Sequence, residues 1–98
     1  MALEVVYTDE SKDDLESILD YSVSRFGFRV AEEFYESLVD CIELLALNPG
    51  MGKVSVIRGG SSIVRQYPFG NRRAAVIIIY ATNERQLILM RLKHSKRA

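Results

Sequence analysis

Apolar positions recur with two different periods along this chain, helical in the first half and strand-like in the second. A short apolar stretch, LEVVY, predicts a first strand. From Thr8 to Gly27 the apolar side chains stand three and four positions apart, which is the spacing of one helix face. Thr8 is the expected N-cap, acidic residues follow it in the first turn, and Gly27 is expected to end the helix. The inward stripe predicted for this helix is Leu15, Ile18, Leu19, Ser22, Val23 and Phe26.

A second helix is predicted from Phe28 to Leu47, because Asn48-Pro49 interrupts a further run of helical spacing. Its predicted inward residues are Val30, Ala31, Phe34, Leu38, Cys41, Ile42 and Leu45. Two helices joined by a tight turn at Gly27 make a helical hairpin. The acidic residues of the hairpin populate its outward faces, so we interpret them as solvated side chains and not as paired catalytic carboxylates.

The second half contains three apolar stretches separated by the short turns GNR and TNER. These stretches, SIVRQYPF, RAAVIIIYA and QLILMRLK, predict an antiparallel meander. The glycines of MGKVSVIRGGSS precede no helical pattern, so they predict turns and not a phosphate-binding loop. The predicted fold class is therefore α+β: an N-terminal strand, a helical hairpin and an antiparallel β-meander packed against the helices, in one domain spanning residues 1–98.

Strict alternation assigns side chains to the two faces of the sheet in the last strand and in the first strand of the meander. In the last strand the residues expected under the helices are Ile88, Met90 and Leu92, and those on the opposite face are Leu87, Leu89, Arg91 and Lys93. In the first strand of the meander one face carries Ile63, Arg65, Tyr67 and Phe69. If Arg65 and Tyr67 share the open side with Arg91, the sheet presents a basic, aromatic concave surface. A shift of one residue in register reverses this arrangement.

The net charge of zero hides a strong asymmetry between the two halves. Residues 1–48 hold three basic and twelve acidic side chains, whereas residues 49–98 hold ten basic and one acidic side chain. Such asymmetry is typical of a protein with two differently charged partners. It is equally consistent with acidic helices that attract a basic sheet within the molecule, and the two interpretations are compatible.

Composition argues against several classes of function. One cysteine, Cys41, cannot form an internal disulfide and suits a reducing compartment. One cysteine and one histidine supply too few ligands for a metal site, and we expect no cofactor. The longest apolar run, Ala74–Ala81, is far shorter than a membrane span, and the N-terminal residues lack the basic and apolar regions of a signal peptide. We therefore expect a cytoplasmic protein that contacts no membrane.

Two segments together carry a family resemblance. The pairing of DDLESILDY with the ending MRLKHSKR, within a strand, hairpin and basic meander spanning Tyr7 to Arg97, resembles the RelE/ParE superfamily of bacterial toxins and is most similar to its ParE branch. The resemblance implies the toxin of a plasmid-stabilisation type II toxin–antitoxin system. It implies a small antitoxin as partner in a hetero-oligomer, wrapping an acidic or amphipathic segment over the helices and sheet of the toxin.

The ParE branch implies a binding protein and not an enzyme. Its members poison DNA gyrase by stabilising the gyrase–DNA cleavage complex, which needs an interface selective for one state of the target and no nucleophile. Arginine and aromatic side chains suit such an interface. The candidate target-binding residues are Arg58, Arg65, Arg72, Arg73, Arg91, His94 and Arg97.

The RelE branch implies the alternative, a ribosome-dependent mRNA endonuclease. Metal-free RNA cleavage requires a general base, a general acid and cations that stabilise the phosphorane. The matching residues here are Arg65, Arg72, His94 and Arg97, with His94 open to a structural, partner-contacting or proton-transferring role. No tyrosine follows Tyr80, and this absence disfavours the nuclease branch. A third alternative is a non-toxic relative that retains antitoxin binding.

Overall fold

The computed structural model describes residues 2–55, 63–70 and 75–94. Within these residues the elements are β1 (Glu4–Tyr7), α1 (Asp9–Phe26), α2 (Phe28–Leu47), a 3-10 turn (Pro49–Met51), β2 (Lys53–Val54), β3 (Val64–Gly70), β4 (Ala75–Thr82) and β5 (Gln86–His94). The predicted N-terminal strand, hairpin and meander are confirmed. Strand β2 is an addition, because only two residues form it and the surrounding glycines gave no strand pattern. Neither helix is long and apolar enough to cross a membrane.

The ends of the helical hairpin follow from local side-chain and backbone chemistry. The Thr8 hydroxyl accepts a hydrogen bond from the Ser11 amide at 3.1 Å, which confirms Thr8 as the N-cap of α1. Gly27 has a φ of 91°, a conformation that glycine adopts without the steric cost paid by other residues. This single residue ends α1 and precedes α2, so the two helices fold back on each other.

The five strands form one mixed sheet in the order β1-β5-β4-β3-β2. Short turns make the β3–β4 and β4–β5 pairs antiparallel, as predicted. Strand β1 pairs in parallel with β5, because the helical hairpin returns the chain across the sheet before the meander begins. The pairing runs from Glu4 opposite Gln86 to Tyr7 opposite Leu89, so β5 extends beyond the end of β1.

The core lies between the helical hairpin and one face of the sheet. Strand β4 alternates between buried and partly buried residues, with Val76, Ile78 and Tyr80 on the helix-covered face. The helices contribute Ile18, Ala31, Phe34, Leu38, Ile42, Leu45 and Ala46. The predicted stripe of α2 is confirmed. In α1, Val23 was assigned wrongly: it is 43% exposed, and the buried positions are Ser11, Ile18 and Ser22.

A β-bulge overturns the face assignment in β5. Tyr80 pairs with Leu89 and Ile79 pairs with Arg91, so Met90 is an extra residue without a partner on β4. The buried residues of β5 are consequently Leu87, Leu89 and Leu92, separated by two and then three positions. Strict alternation predicted Ile88 and Met90 inside and Leu87 and Leu89 outside, and both assignments were wrong. Beyond the bulge the prediction is confirmed, with Leu92 inside and Arg91 and Lys93 on the opposite face.

Candidate functional site

The bulge decides how the last residues of β5 are presented. Beyond Met90, Leu92 and His94 share the helix-covered face, because His94 stands opposite the buried Val76. Arg91 and Lys93 stand opposite Ile79 and Ile77 and take the other face. All three polar residues, Arg91, Lys93 and His94, are exposed, and we refer to them as the basic end of the sheet.

Asp14 of α1 holds the basic end in place. Its carboxylate accepts hydrogen bonds from Arg91 Nε at 2.7 Å, from Arg91 Nη2 at 3.1 Å and from the Leu92 amide at 3.0 Å. The two arginine bonds form a fork, the strongest geometry for a carboxylate–guanidinium pair. The side-chain hydrogen bond from Arg91 holds the pKa of Asp14 below its ordinary value, and the same contact raises the pKa of Arg91.

Thr8 anchors the bulge to the start of the same helix. Its hydroxyl donates to the carbonyls of Leu89 and Met90 at 3.1 and 3.0 Å, and its amide donates to Leu89 at 3.1 Å. Thr8 therefore serves both as the N-cap of α1 and as the residue that binds the carbonyl of the extra residue. The start of α1 and the end of β5 form one hydrogen-bonded unit.

His94 packs against an aromatic ring of α1. Its imidazole lies 5.0 Å from the Tyr21 ring, centre to centre, with the planes tilted by 57°. This arrangement is a common one for aromatic pairs and fixes the end of the strand against the helix. Of the three roles left open for His94, the structure supplies a direct observation for the structural one.

Arg65 is occupied in a different part of the molecule. Its Nη1 donates to the Gly52 carbonyl at 2.8 Å, while the Gly52 amide donates to the Tyr80 hydroxyl at 2.9 Å. The Tyr80 hydroxyl in turn donates to the Pro49 carbonyl at 2.7 Å. Burial raises the pKa of Tyr80 above its ordinary value. These contacts hold residues 48–52 against the sheet. We refer to Pro49, Gly52, Arg65 and Tyr80 as the tyrosine anchor.

The predicted basic, aromatic concave surface does not form. Arg65 and Tyr67 pair with Tyr80 and Ile78, which face the helices, whereas Arg91 takes the opposite face. Arg65 and His94 do share a face, but four residues of β4 and two strand spacings separate their Cα atoms, roughly 16 Å. These two members of the nuclease set therefore do not converge. The remaining candidates Arg58, Arg72, Arg73 and Arg97 lie outside the described residues.

A second surface lies on the helical hairpin, where apolar side chains face solvent. A groove there is lined by Leu19, Val23, Phe28, Ala31, Glu32 and Tyr35. Phe28 is 70% exposed and adjoins the other apolar side chains of this groove, and contiguous exposed apolar surface is typical of interaction sites. Sequence reasoning missed this groove because it followed only the inward stripes. The available signal was the presence of Phe28 and Tyr35 outside the predicted stripe of α2.

Sequence reasoning also passed over Asp14 and Lys93 as site residues. Asp14 was grouped with the solvated acids of α1, and nothing in its spacing pointed to a partner 77 residues away. Lys93 was placed on an outer face but not counted among the target-binding candidates. Across residues 2–55, 63–70 and 75–94, no grouping of three His, Cys, Asp or Glu side chains is arranged to hold a metal ion.

Comparison with known proteins adds a family and a fold. The family model described as "ParE toxin of type II toxin-antitoxin system, parDE" matches residues 5–98. Among solved structures, a chain of the "Chromosomal ParDE TA system from P. aeruginosa" is similar with a TM-score of 0.75 and 20% identity, over 97% of this chain and 98% of that one. At this identity the likeness concerns the fold. No curated protein matches the sequence.

Proposed function

The chain belongs to the ParE toxin family of type II toxin–antitoxin systems, and from this premise we propose that it is a gyrase poison. In this proposal it binds bacterial DNA gyrase in the cytoplasm and stabilises the complex in which gyrase has cleaved DNA. A cognate antitoxin neutralises it by forming a hetero-oligomer. Such a toxin needs a higher affinity for the cleaved state of gyrase than for its other states, and no chemistry of its own.

The observation that supports a binding protein over an mRNA endonuclease is that the basic residues each contact a different group of this chain. Arg91 is paired with Asp14, Arg65 is bonded to Gly52, and His94 packs on Tyr21. A nuclease of the RelE type would need a general base, a general acid and phosphate-binding cations around one phosphate. Arg65 and His94, the members of that set with described positions, are instead engaged in separate contacts, with Gly52 and with Tyr21.

We place the gyrase contact at the basic end. Lys93 is exposed there, and among residues 2–55, 63–70 and 75–94 no carboxylate lies within ion-pairing distance of its ammonium group. Beside it on the same face, β4 supplies the partly buried Ile77 and Ile79. Aliphatic surface next to a cation suits a protein partner with apolar and acidic groups.

We place an antitoxin helix in the groove of the hairpin. Glu32 is the charged residue of the groove lining, and the two helices together carry eleven acidic residues against Lys12, Arg25 and Arg29, so the hairpin is negatively charged. A second copy of this chain would bring two acidic hairpins together, which is unfavourable. An amphipathic helix with basic flanks complements both the apolar groove and the acidic hairpin. The amphipathic form of the implied antitoxin segment is therefore favoured over an acidic one.

The gyrase proposal is tested with purified protein, bacterial gyrase, supercoiled plasmid and ATP. We expect linear plasmid to accumulate after treatment with detergent and protease. Lys93→Glu should reduce the linear product, whereas Lys12→Glu, the same charge change on the exposed surface of α1, should leave it unchanged. Intact plasmid in the presence of folded protein and active gyrase would refute the proposal, and primer extension on translated messages would then test mRNA cleavage.

The antitoxin surface is tested by co-purification with the protein encoded beside this chain. Phe28→Ser should weaken capture, because it removes the most exposed aromatic side chain of the groove. Leu47→Ser is the matched control, since Leu47 is 57% exposed at the other end of the same helix and lies outside the groove. Equal capture of both variants would show that the antitoxin binds elsewhere.

A further inference from the structure

The two segments that carry the family resemblance touch each other in the structure. Asp14 lies in DDLESILDY and Arg91 in MRLKHSKR, and they form an ion pair with 2.7 Å between Asp14 Oδ2 and Arg91 Nε. The Asp14 carboxylate accepts three hydrogen bonds, two from the Arg91 guanidinium and one from the Leu92 amide. The Asp14 side chain is 17% exposed and the Arg91 side chain 47%, so the carboxylate is partly shielded from water while the guanidinium stays accessible.

The Leu92 amide explains why a carboxylate is needed at this point. Strand β1 ends at Tyr7 opposite Leu89, so the last residues of β5 have lost their neighbour on that side. An unpaired amide at such an edge depends on water or on a side chain. Asp14 accepts from the Leu92 amide and thus replaces the missing strand. The basic end then has β4 on one side and α1 on the other.

The fork to Arg91 changes the role expected of that arginine. The Nε and Nη2 atoms of Arg91 both donate to Asp14, so the guanidinium is directed towards α1. Lys93, two residues further along the same face, is exposed, and its ammonium group forms no ion pair with a carboxylate of the described residues. Arg91 therefore helps Asp14 to hold the end of β5 in position, and Lys93 is the exposed cation available to a partner.

We propose that Asp14 is a positioning residue: together with Arg91 it holds the basic end of β5 in the geometry in which Lys93 meets the target. This inference rests on the proposed gyrase function for its target, and on geometry alone for the ordering of the strand end. It assigns Arg91 a positioning role in place of the direct target contact expected from the sequence.

The ordering of the strand end is tested without gyrase. Amide hydrogen exchange is followed by NMR in wild type, Asp14→Ala and Asp14→Asn. Asp13→Asn is the matched control, because the neighbouring Asp13 is exposed and undergoes the same charge change. We expect the Leu92 amide to exchange roughly tenfold faster or more in Asp14→Ala, with a smaller increase in Asp14→Asn, whose amide oxygen still accepts a hydrogen bond. Exchange equal to that of Asp13→Asn would overturn the inference.

The positioning role is tested by a double-mutant cycle in the gyrase assay. The quantity measured is the protein concentration that gives half-maximal linear plasmid, at a temperature where every variant is folded. Arg91→Lys keeps the charge but cannot form the fork, so it should raise this concentration as much as Asp14→Asn does. The double variant should be no worse than either single variant, since both remove the same contact. Additive losses, or full activity of Arg91→Lys, would contradict the inference.

The two arms separate failure of this inference from failure of the proposed function. If wild type traps no cleaved plasmid, gyrase is not the target, and the exchange experiment still decides whether Asp14 orders the strand end. If wild type is active and Asp14→Asn is equally active at every concentration, the gyrase proposal stands and the positioning role is refuted. A loss of activity without a change in Leu92 exchange would also refute it, because Asp14 would then act by direct contact.

Discussion

Replacing Tyr80 by Phe isolates the hydroxyl group of the tyrosine anchor. The ring remains in the core, where Tyr80 is fully buried, so the change creates almost no cavity. The hydroxyl accepts from the Gly52 amide at 2.9 Å and donates to the Pro49 carbonyl at 2.7 Å. In Tyr80→Phe both groups lose their partner, and Gly52 lies buried. No buried side-chain polar atom of the described residues lacks a hydrogen bond in the wild-type structure.

The expected cost follows from the desolvation of groups left without partners. A buried donor or acceptor that loses its partner costs about 1–3 kcal/mol. The half-buried Pro49 carbonyl can recover part of this from water, so we expect Tyr80→Phe to lower the free energy of unfolding by about 2–3 kcal/mol. For a domain of this size each kcal/mol lowers the melting temperature by roughly 4–8 °C, which gives a decrease of about 8–24 °C.

The assay is urea unfolding followed by far-UV circular dichroism, analysed for the midpoint and for the slope m. Tyr35→Phe is the matched control, because Tyr35 is 41% exposed and the chemical change is identical. We expect the control to remain within about 0.5 kcal/mol of wild type. A cost for Tyr80→Phe as small as that of the control would refute the reasoning, since it would mean that water satisfies both groups. A changed m would show that the unfolded or folded ensemble had changed instead.

Three further predictions concern the same contacts and the core. Gly52→Ala should destabilise the protein more than a surface substitution, because the added Cβ would collide with the Tyr80 hydroxyl and stand 2.9 Å from its Cε1 and Cζ atoms; a melting temperature equal to wild type would contradict this. The hydrogen bond from Arg91 lowers the pKa of Asp14 in the folded state, so the ionised carboxylate stabilises the fold fully above about pH 4, the ordinary carboxyl value. The difference in unfolding free energy between wild type and Asp14→Asn should therefore be largest above that pH and should disappear as the pH falls further. Urea midpoints at pH 7, 5 and 3 measure this difference, and a constant difference would exclude the ion pair as its source. Leu38→Ala should cost about 2–5 kcal/mol, since Leu38 is fully buried and its loss leaves a cavity; calorimetry showing a loss below 1 kcal/mol would indicate that the core collapses around the site.

Local chemistry made the hairpin predictable. Thr8 and Gly27 mark the two ends of α1 because capping and positive φ depend on neighbouring backbone groups and on residue type. The helical period of α2 gave its buried face, since one helix side must face the core. The antiparallel order of the meander followed from short turns, and the pairing of DDLESILDY with MRLKHSKR indicated the family.

The candidate site was predicted only in part. The basic residues near the end of the sequence were identified, and His94 and Arg91 do lie together on the basic end. Their contacts were not predictable, because Asp14 is 77 residues from Arg91 and resembles the solvated acids around it. Arg65 was placed with the correct neighbours on β3, but its bond to Gly52 removes it from the surface expected for it.

The sequence by itself determined the elements, their order and the family, because these depend on residue type and on periods within one segment. Only the tertiary structure decided which face of β5 is buried. The bulge at Met90 depends on how β5 pairs with β4 and on the Thr8 hydroxyl that binds the extra carbonyl, and neither is written into the alternation of a single strand. Which arginine is committed to an internal contact was likewise decided by tertiary structure, since a hydrogen bond requires partners that only folding brings within about 3 Å.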